Sequence, residues 1–290
     1  MRRIIVTPAG RRRYTSLLFA HLRSQQADFD EWHIWLNTSN AEDIAYFREL
    51  ERDHPWVVCK PLTVPLKGCL SIFSFFKECQ DVSSVYLRLD DDVVWLEPGF
   101  VKSMFDFRLA HPEFFLVYGN IVNNAVISHL QCRFGNIEYA KPVTYACMCP
   151  IGWGDADFSE TLHKRFIEAV RNGTTNHWKF TSWDLFDYER VSINCISWLG
   201  SEFAAFDGNV GKDEEQWLSV DKPKQLKKKN IIYGGALCAH YAFHTQRKKL
   251  DQTNILDEYV SLLPKPAPPA LAEAEETEAT LPLPLLAASE

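Results

Sequence analysis

No stretch of this chain approaches the ~20 consecutive apolar residues that a membrane-crossing helix needs. The start, MRRIIVTPAG, carries basic residues, but the apolar segment behind them is too short for a secretion signal. A cytoplasmic protein is therefore expected. A basic excess is missing as well. The 31 Lys and Arg fall short of the 38 Asp and Glu, leaving a net charge of −7, which argues against a general binder of nucleic acid or anionic membrane. Repeated C-x-x-C pairs of the zinc-binding kind are absent. Eight cysteines stand at positions 59, 69, 79, 132, 147, 149, 195 and 238. Only Cys147 and Cys149 are close, and they read as two small buried residues in a strand-like VTYACMC. Free thiols in a reducing compartment fit this usage. There is no internal repeat.

What is present is material for a large core. The chain has 290 residues, 46% of them apolar, which places it among globular proteins. The pattern alternates over the first 90 residues and loosens after about residue 92. Strands are expected over 2–7, 31–37, 56–60, 84–89 and 114–122. Helices are expected over 11–23, to 52 from a capping box of Ser39 and Glu42, over 68–79, and over 98–112. Strands alternating with helices predict βαβ units and a largely parallel, doubly wound sheet. From about 123 to 185 the chain is irregular and rich in Asn, Gly, Trp and other aromatic residues, and beyond that further elements are expected. It holds one clear helix over 158–173, strands over 190–200 and 231–243, and a basic connector over 221–230. The Pro-, Ala- and Glu-rich stretch 264–290 is expected to be a disordered tail.

The stretch VYLRLDDDVVWLEPGF, residues 85–100, raises the sharpest question. Three carboxylates, Asp90, Asp91 and Asp92, sit between two apolar runs, and such a cluster is costly without a cationic partner. In an open α/β sheet, ligands bind beyond the carboxyl ends of the strands. Thr7, Asn37 with Thr38, and the aspartates would all lie on that rim. Oxygen ligands select Mg2+ or Mn2+, which one or two carboxylates hold together with substrate phosphates. The competing account is a polar turn or a helix cap with no ligand.

YLRLDDDVVWLEPGF resembles the DXD region of GT-A-fold glycosyltransferases, which use nucleotide sugars. AFDGNVGKDEEQWL (205–218) is similar to their acidic pair at a helix start, and GALCAHYAF (235–243) to the late strand that carries their C-terminal histidine. The three segments come in the family's order behind a β/α nucleotide half, and the resemblance covers about residues 2–262. A narrower likeness is to rhamnosyltransferase-like proteins of bacteria and viruses. The resemblance implies a single GT-A-like, Rossmann-like domain over 1–263. Its sheet would be mixed, mostly parallel and flanked by helices, with a nucleotide-sugar half over about 1–122 and an acceptor and catalytic half over 123–263.

The implied activity is metal-dependent transfer of a sugar from a nucleoside-diphosphate donor to a hydroxyl acceptor, such as one on a glycan, with inversion favoured. Asp92 would ligate Mn2+ or Mg2+. Asp90 would contact the metal, its bound water or the ribose, and Asp91 could exchange roles with either. His240, with His244 as rival, would complete the metal shell or meet the diphosphate. Glu214 or Glu215 would be the base, with Asp213 as helix cap; a plain acidic helix start is the other account. Thr7, Asn37 and Thr38 would meet the nucleoside, although Asn37-Thr38-Ser39-Asn40 departs from the acidic residue the family often carries there.

GRRR (10–13) would meet a phosphate or an acidic acceptor, or be a solvated basic turn. KPKQLKKK (222–229) would be a loop closing on the diphosphate or a solvated linker. Trp153, Trp178, Trp183 and Trp198, with Asn123 and Asn124, are candidates for acceptor contacts. Two other classes remain open: a metal-dependent nucleotidyltransferase or pyrophosphohydrolase, and a non-catalytic nucleotide- or glycan-binding protein.

Overall fold

The apolar runs that the sequence offers as strands become strands, and three of them, 84–89, 93–96 and 117–122, are buried along their whole length. A computed structural model describes residues 1–135 and 137–264, so the expected tail lies outside the described residues apart from Pro264. The strands are β1 (Arg2–Ala9), β2 (Glu31–Leu36), β3 (Val57–Pro61), β4 (Ser84–Leu89), β5 (Val93–Leu96), β6 (Val117–Val122), β7 (Trp183–Leu185), β8 (Cys195–Leu199) and β9 (Asn230–His240). They form one sheet in the order β3-β2-β1-β4-β8-β6-β9-β5, with β7 also on β9. The pairings β1–β2, β1–β4, β2–β3 and β6–β9 are parallel. Strand β8 runs against both β4 and β6, and β5 and β7 run against β9. The sheet is thus mixed but mostly parallel in strand direction, with β5, β7 and β8 as the reversed strands.

Helices cover both faces: α1 (Arg12–Ser24), α2 (Ala41–Asp53), α3 (Phe100–Ala110), α4 (Ala125–Phe134), α5 (Ala156–Arg171), α6 (Gly200–Ala204), α7 (Glu214–Gln216), α8 (Lys222–Leu226), α9 (His244–Leu250) and α10 (Ile255–Ser261). The period-2 geometry of a strand splits the interior into two cores. Ile121 and Cys238 join one, with Phe47 of α2, Met104 of α3 and Phe203 of α6. Val122, Leu237 and Ala239 join the other, with Phe166 of α5, Leu250 of α9 and Tyr259 of α10.

Several local expectations are corrected. Helix α2 is capped by Asn40, whose side chain accepts from the backbone N–H of Glu42 and Asp43; Ser39 stands one residue too early. Helix α5 is capped by Asp155 and not by Ser159. The segment 68–79 forms a 3-10 stretch over Ile72–Glu78. VTYACMC is a set of turns, in which the Thr144 N–H donates to Cys149 Sγ at 3.3 Å. The basic connector is largely helical: a wide turn over Trp217–Asp221 joins α7 to α8.

Candidate active site

The three aspartates occupy the turn between β4 and β5. Asp90 N–H donates to the Asn194 carbonyl at 2.9 Å, and Val93 N–H closes the turn on the Asp90 carbonyl at 3.1 Å. Tyr241 N–H then binds the Asp92 carbonyl at 2.8 Å, which ties the turn to the end of β9. Asp91 and Asp92 are buried at 3% and 2% exposure, so they are not an exposed acidic turn. They line a cleft of about 800 Å3, with Asp90, Gly10, Asn37, Glu214 and His240 also on its wall. A cleft of this size suits a nucleotide-sized ligand.

Each aspartate has a cationic side chain against it. Arg88 gives Nε and Nη2 to Asp90 Oδ1 at 3.0 and 2.9 Å, while Asn194 Nδ2 donates to Asp90 Oδ2 at 3.1 Å. Arg11 forks onto Asp91, whose Oδ2 also accepts from Gly10 N–H at 3.0 Å. Asp92 Oδ2 meets Arg247 at 2.8 Å and Arg11 at 3.0 Å, and its Oδ1 lies 3.5 Å from His240 Nε2. Burial pushes the Asp92 carboxyl up, but His240, Arg11 and Arg247 together outweigh it and hold the group well below the usual range. Burial pushes Asp91 up against its contacts with Arg11.

The acidic helix start reaches the same cleft, and its three members stand apart chemically. Asp213 caps α7 through Gln216 N–H at 3.1 Å and pairs with Arg190 at 3.2 Å. Glu215 Oε1 accepts from Arg190 Nε at 2.7 Å and from Cys147 Sγ at 3.4 Å. Glu214 gives Oε1 to Arg88 Nη1 at 3.0 Å, and its Oε2 is buried with no partner. Burial pushes the Glu214 carboxyl up to about 7; Arg88 opposes this, and the neighbouring Asp90 and Glu215 add to it.

His240, not His244, stands beside the aspartates. Its Nδ1 lies 3.2 Å from the Asn123 carbonyl. With Nδ1 held by that carbonyl, Nε2 faces Asp92 Oδ1, and a partner on the far ring nitrogen is what orients metal-binding histidines. His244 is exposed and packs edge-on against Trp153 at 5.1 Å between ring centroids.

The other expected residues divide. Asn37 is on the cleft wall; its Nδ2 donates to the Gly68 carbonyl at 3.0 Å, and its Oδ1 is buried without a partner. Thr38 Oγ1 accepts locally from Asn40 N–H at 3.1 Å. Thr7 is fully buried inside β1, accepting from Trp32 Nε1 at 2.9 Å, because β1 continues two residues further. Of the tryptophans only Trp153 lines the cleft; Trp178 and Trp198 are core, and Trp183 packs against Phe134 and Phe186. Asn123 and Asn124 are structural. The first adopts φ 64°, with Nδ2 on the Tyr241 carbonyl, and the second caps α4. The sequence reasoning missed Arg88, Asn194, Arg190 and Arg247.

Among the described residues, no group of three His, Cys, Asp or Glu is placed to hold a metal ion. Asp92 and His240 fit a divalent cation as a partial donor set, of the kind that substrate phosphates complete. Asp90, with both oxygens engaged by Arg88 and Asn194, stands outside that pair. No helix among the described residues is long and apolar enough to cross a membrane.

No protein-family pattern matches the chain, and no curated protein matches it. Solved structures do match. One is a mannosyltransferase from Pyrobaculum calidifontis in complex with GDP-Man and Mn2+, at 10% identity and TM-score 0.49, over 92% of this chain and 66% of that one. Another is CMP:2-keto-3-deoxy-manno-octonic acid synthetase complexed with CTP, at 10% identity and TM-score 0.48, over 91% of this chain and 100% of that one. A third is a 4-diphosphocytidyl-2C-methyl-D-erythritol synthase, at 10% identity and TM-score 0.46, over 88% and 99% respectively. This chain therefore spans just under two thirds of the mannosyltransferase's length. Likeness of this degree carries neither an activity nor site residues over to this chain.

Proposed function

We propose that this chain is a nucleotide-sugar-dependent glycosyltransferase of GT-A type, acting with Mn2+ or Mg2+ on a hydroxyl acceptor. The observation that carries it is Glu214: a carboxyl raised to about 7, with one oxygen fixed and the other unpartnered at the cleft wall. A general base is most effective when its pKa lies near the working pH. Glu214 would take the acceptor hydroxyl's proton on Oε2 during in-line attack, which favours inversion. Asp213 caps the helix and Glu215 gives Oε1 to Arg190, whereas Glu214 keeps a buried oxygen without a partner, which favours it as the base. Asp92 and His240 would hold the divalent cation, which as a Lewis acid would offset charge on the leaving diphosphate. Arg11 and Arg247 would add positive charge beside it, Asn37 would meet the nucleoside, and Trp153 offers a ring face to an acceptor sugar.

A second account keeps the cleft but fills it with a nucleoside triphosphate. In its favour are the three guanidiniums of Arg11, Arg88 and Arg247 around one turn, ample positive charge for a longer phosphate chain. One experiment separates them. Sugar nucleotides and nucleoside triphosphates are incubated with Mn2+ and sugar acceptors, and the products are resolved. Release of nucleoside diphosphate with a glycosylated acceptor supports the proposal. Pyrophosphate release from a triphosphate supports the alternative and overturns the proposal.

A further inference from the structure

The strand end and the acidic helix are joined by one chain of buried and half-buried polar contacts. Asn124 Nδ2 donates to Asn194 Oδ1 at 3.2 Å, and Asn194 Nδ2 donates to Asp90 Oδ2 at 3.1 Å. Asp90 Oδ1 then receives two N–H groups of Arg88, whose third nitrogen binds Glu214 Oε1 at 3.0 Å. Arg88 is 2% exposed, and its guanidinium lies over the Phe76 ring, 5.9 Å from the centroid. A planar fork held on both edges and over one face has little freedom. The chain ends on the one oxygen of Glu214 that is fixed, so the other is the free one.

We infer that Asp90 is a positioning residue for the base. Acting through Arg88, it holds the Glu214 carboxylate so that Oε2 faces the acceptor hydroxyl, and it is not a ligand of the cation. This rests on the glycosyltransferase proposal for its purpose, but the contact chain can be read without any substrate. The charged groups facing Glu214 are Arg88 on β4, Asp90 in the β4–β5 turn and Glu215 on α7, with Arg190, just before β8, neutralising Glu215. Within this set Asp90 and Arg88 act in opposite senses. Removing the Asp90 charge leaves Arg88 wholly to Glu214 and favours its ionised form. Weakening Arg88 favours the protonated form.

The test is a 13C NMR titration of glutamate-labelled protein without substrate, with Glu214→Gln assigning the resonance. In Asp90→Asn the Glu214 midpoint is expected to fall by about one pH unit, the scale of losing one nearby like charge. In Arg88→Lys, where a point charge replaces the fork, it is expected to rise. With a sugar donor, Asp90→Asn is expected to lower kcat about tenfold while leaving the donor KM unchanged, since it disturbs the base and not the donor. An unchanged or raised midpoint in Asp90→Asn overturns the inference. So does a tenfold rise in donor KM with kcat preserved. If Arg88→Lys does not fold, the isosteric Asp90→Asn decides alone. Absence of turnover with every donor would overturn the proposed function, whereas the titration would still decide the contact chain.

Discussion

Arg88 and Glu214 lie 126 positions apart in sequence and 3.0 Å apart in space, joined by a buried ion pair. The contact links the two halves of the cleft. Arg88 comes from a central strand of the parallel half, and Glu214 opens the helix that follows the reversed strand β8 and α6. A buried ion pair is a poor source of stability. Its consequence here is chemical: it fixes one oxygen of a carboxyl that burial raises, and leaves the other, buried and without a partner, at the wall of a large cleft.

Glycosyl transfer should therefore follow the ionisation of Glu214. We expect kcat/KM to rise with pH and level off above about 7, the value to which burial pushes this group. Glu214→Gln should lose about 10²–10⁴-fold in kcat, the usual worth of a general base. Glu215→Gln should lose far less, because the buried oxygen without a partner belongs to Glu214 and not to Glu215. Initial rates across pH 5 to 9 for the three proteins decide this. Equal losses in the two variants would sink the assignment.

The cation should depend on Asp92 and His240 and not on Asp90. A ligand that binds only the folded state raises its stability, by about 2.7 kcal/mol at a hundredfold excess over Kd. Thermal melts with nucleoside diphosphate should therefore show a Mn2+-dependent rise in wild type and in Asp90→Asn. The rise should be lost in Asp92→Asn and His240→Ala. Retention of the rise in Asp92→Asn would remove that residue from the site.

Glu214 should also leave a mark on stability. Its folded pKa is raised from the ordinary 4.5 to about 7, so the native state holds a proton that the unfolded chain releases. The associated stability is fully present below about pH 4.5 and is lost as pH rises through 7. At about 1.4 kcal/mol for each tenfold, this amounts to roughly 3 kcal/mol. Denaturant unfolding at pH 5 and pH 8 should show a larger loss in wild type than in Glu214→Gln, where the titrating group is gone. Equal losses would mean that the group is not raised.

Much of the frame was legible because strands and helices announce themselves locally. The early strands appear where apolar runs predict them, and so do α1 and α2 between them, while 68–79 gives only the 3-10 stretch Ile72–Glu78. The reversed strand β8 was legible as a strand but not as the neighbour of β4 and β6, because strand pairing is decided by contacts far apart in sequence. Thr7 was misplaced because PAG reads as a turn. Pairing of β1 with β4 ends at Val6, while pairing with β2 continues to Ala9, so Pro8 is tolerated on a locally open edge. Arg88 could have been found: in LRLD, positions 88 and 90 share a strand face, and a lone arginine in an apolar strand needs a partner. Arg247 and Asn194 carry no such local signal. The roles of Glu214 and Glu215 were indistinguishable in sequence, because only the placement of Arg88 and Arg190 separates them.

The junction of β8 and α6 offers a test of the fold that is independent of any activity. Gly200 follows β8 directly, and a Cβ built there would stand 1.9 Å from the Asp81 carbonyl oxygen and 3.1 Å from that of Ser84. Both obstacles are backbone, and Ser84 begins β4, so neither can rotate away as a side chain would. Gly200→Ala should therefore cost at least about 1–3 kcal/mol, the range for overpacking a filled interior. Gly154→Ala is the control, since nothing lies within 4 Å of its added Cβ, and it should stay within about 0.5 kcal/mol of wild type. Urea unfolding reads both as midpoints at constant slope. A Gly200→Ala midpoint equal to that of the control would mean that the close approach of β8 to the start of β4 does not exist.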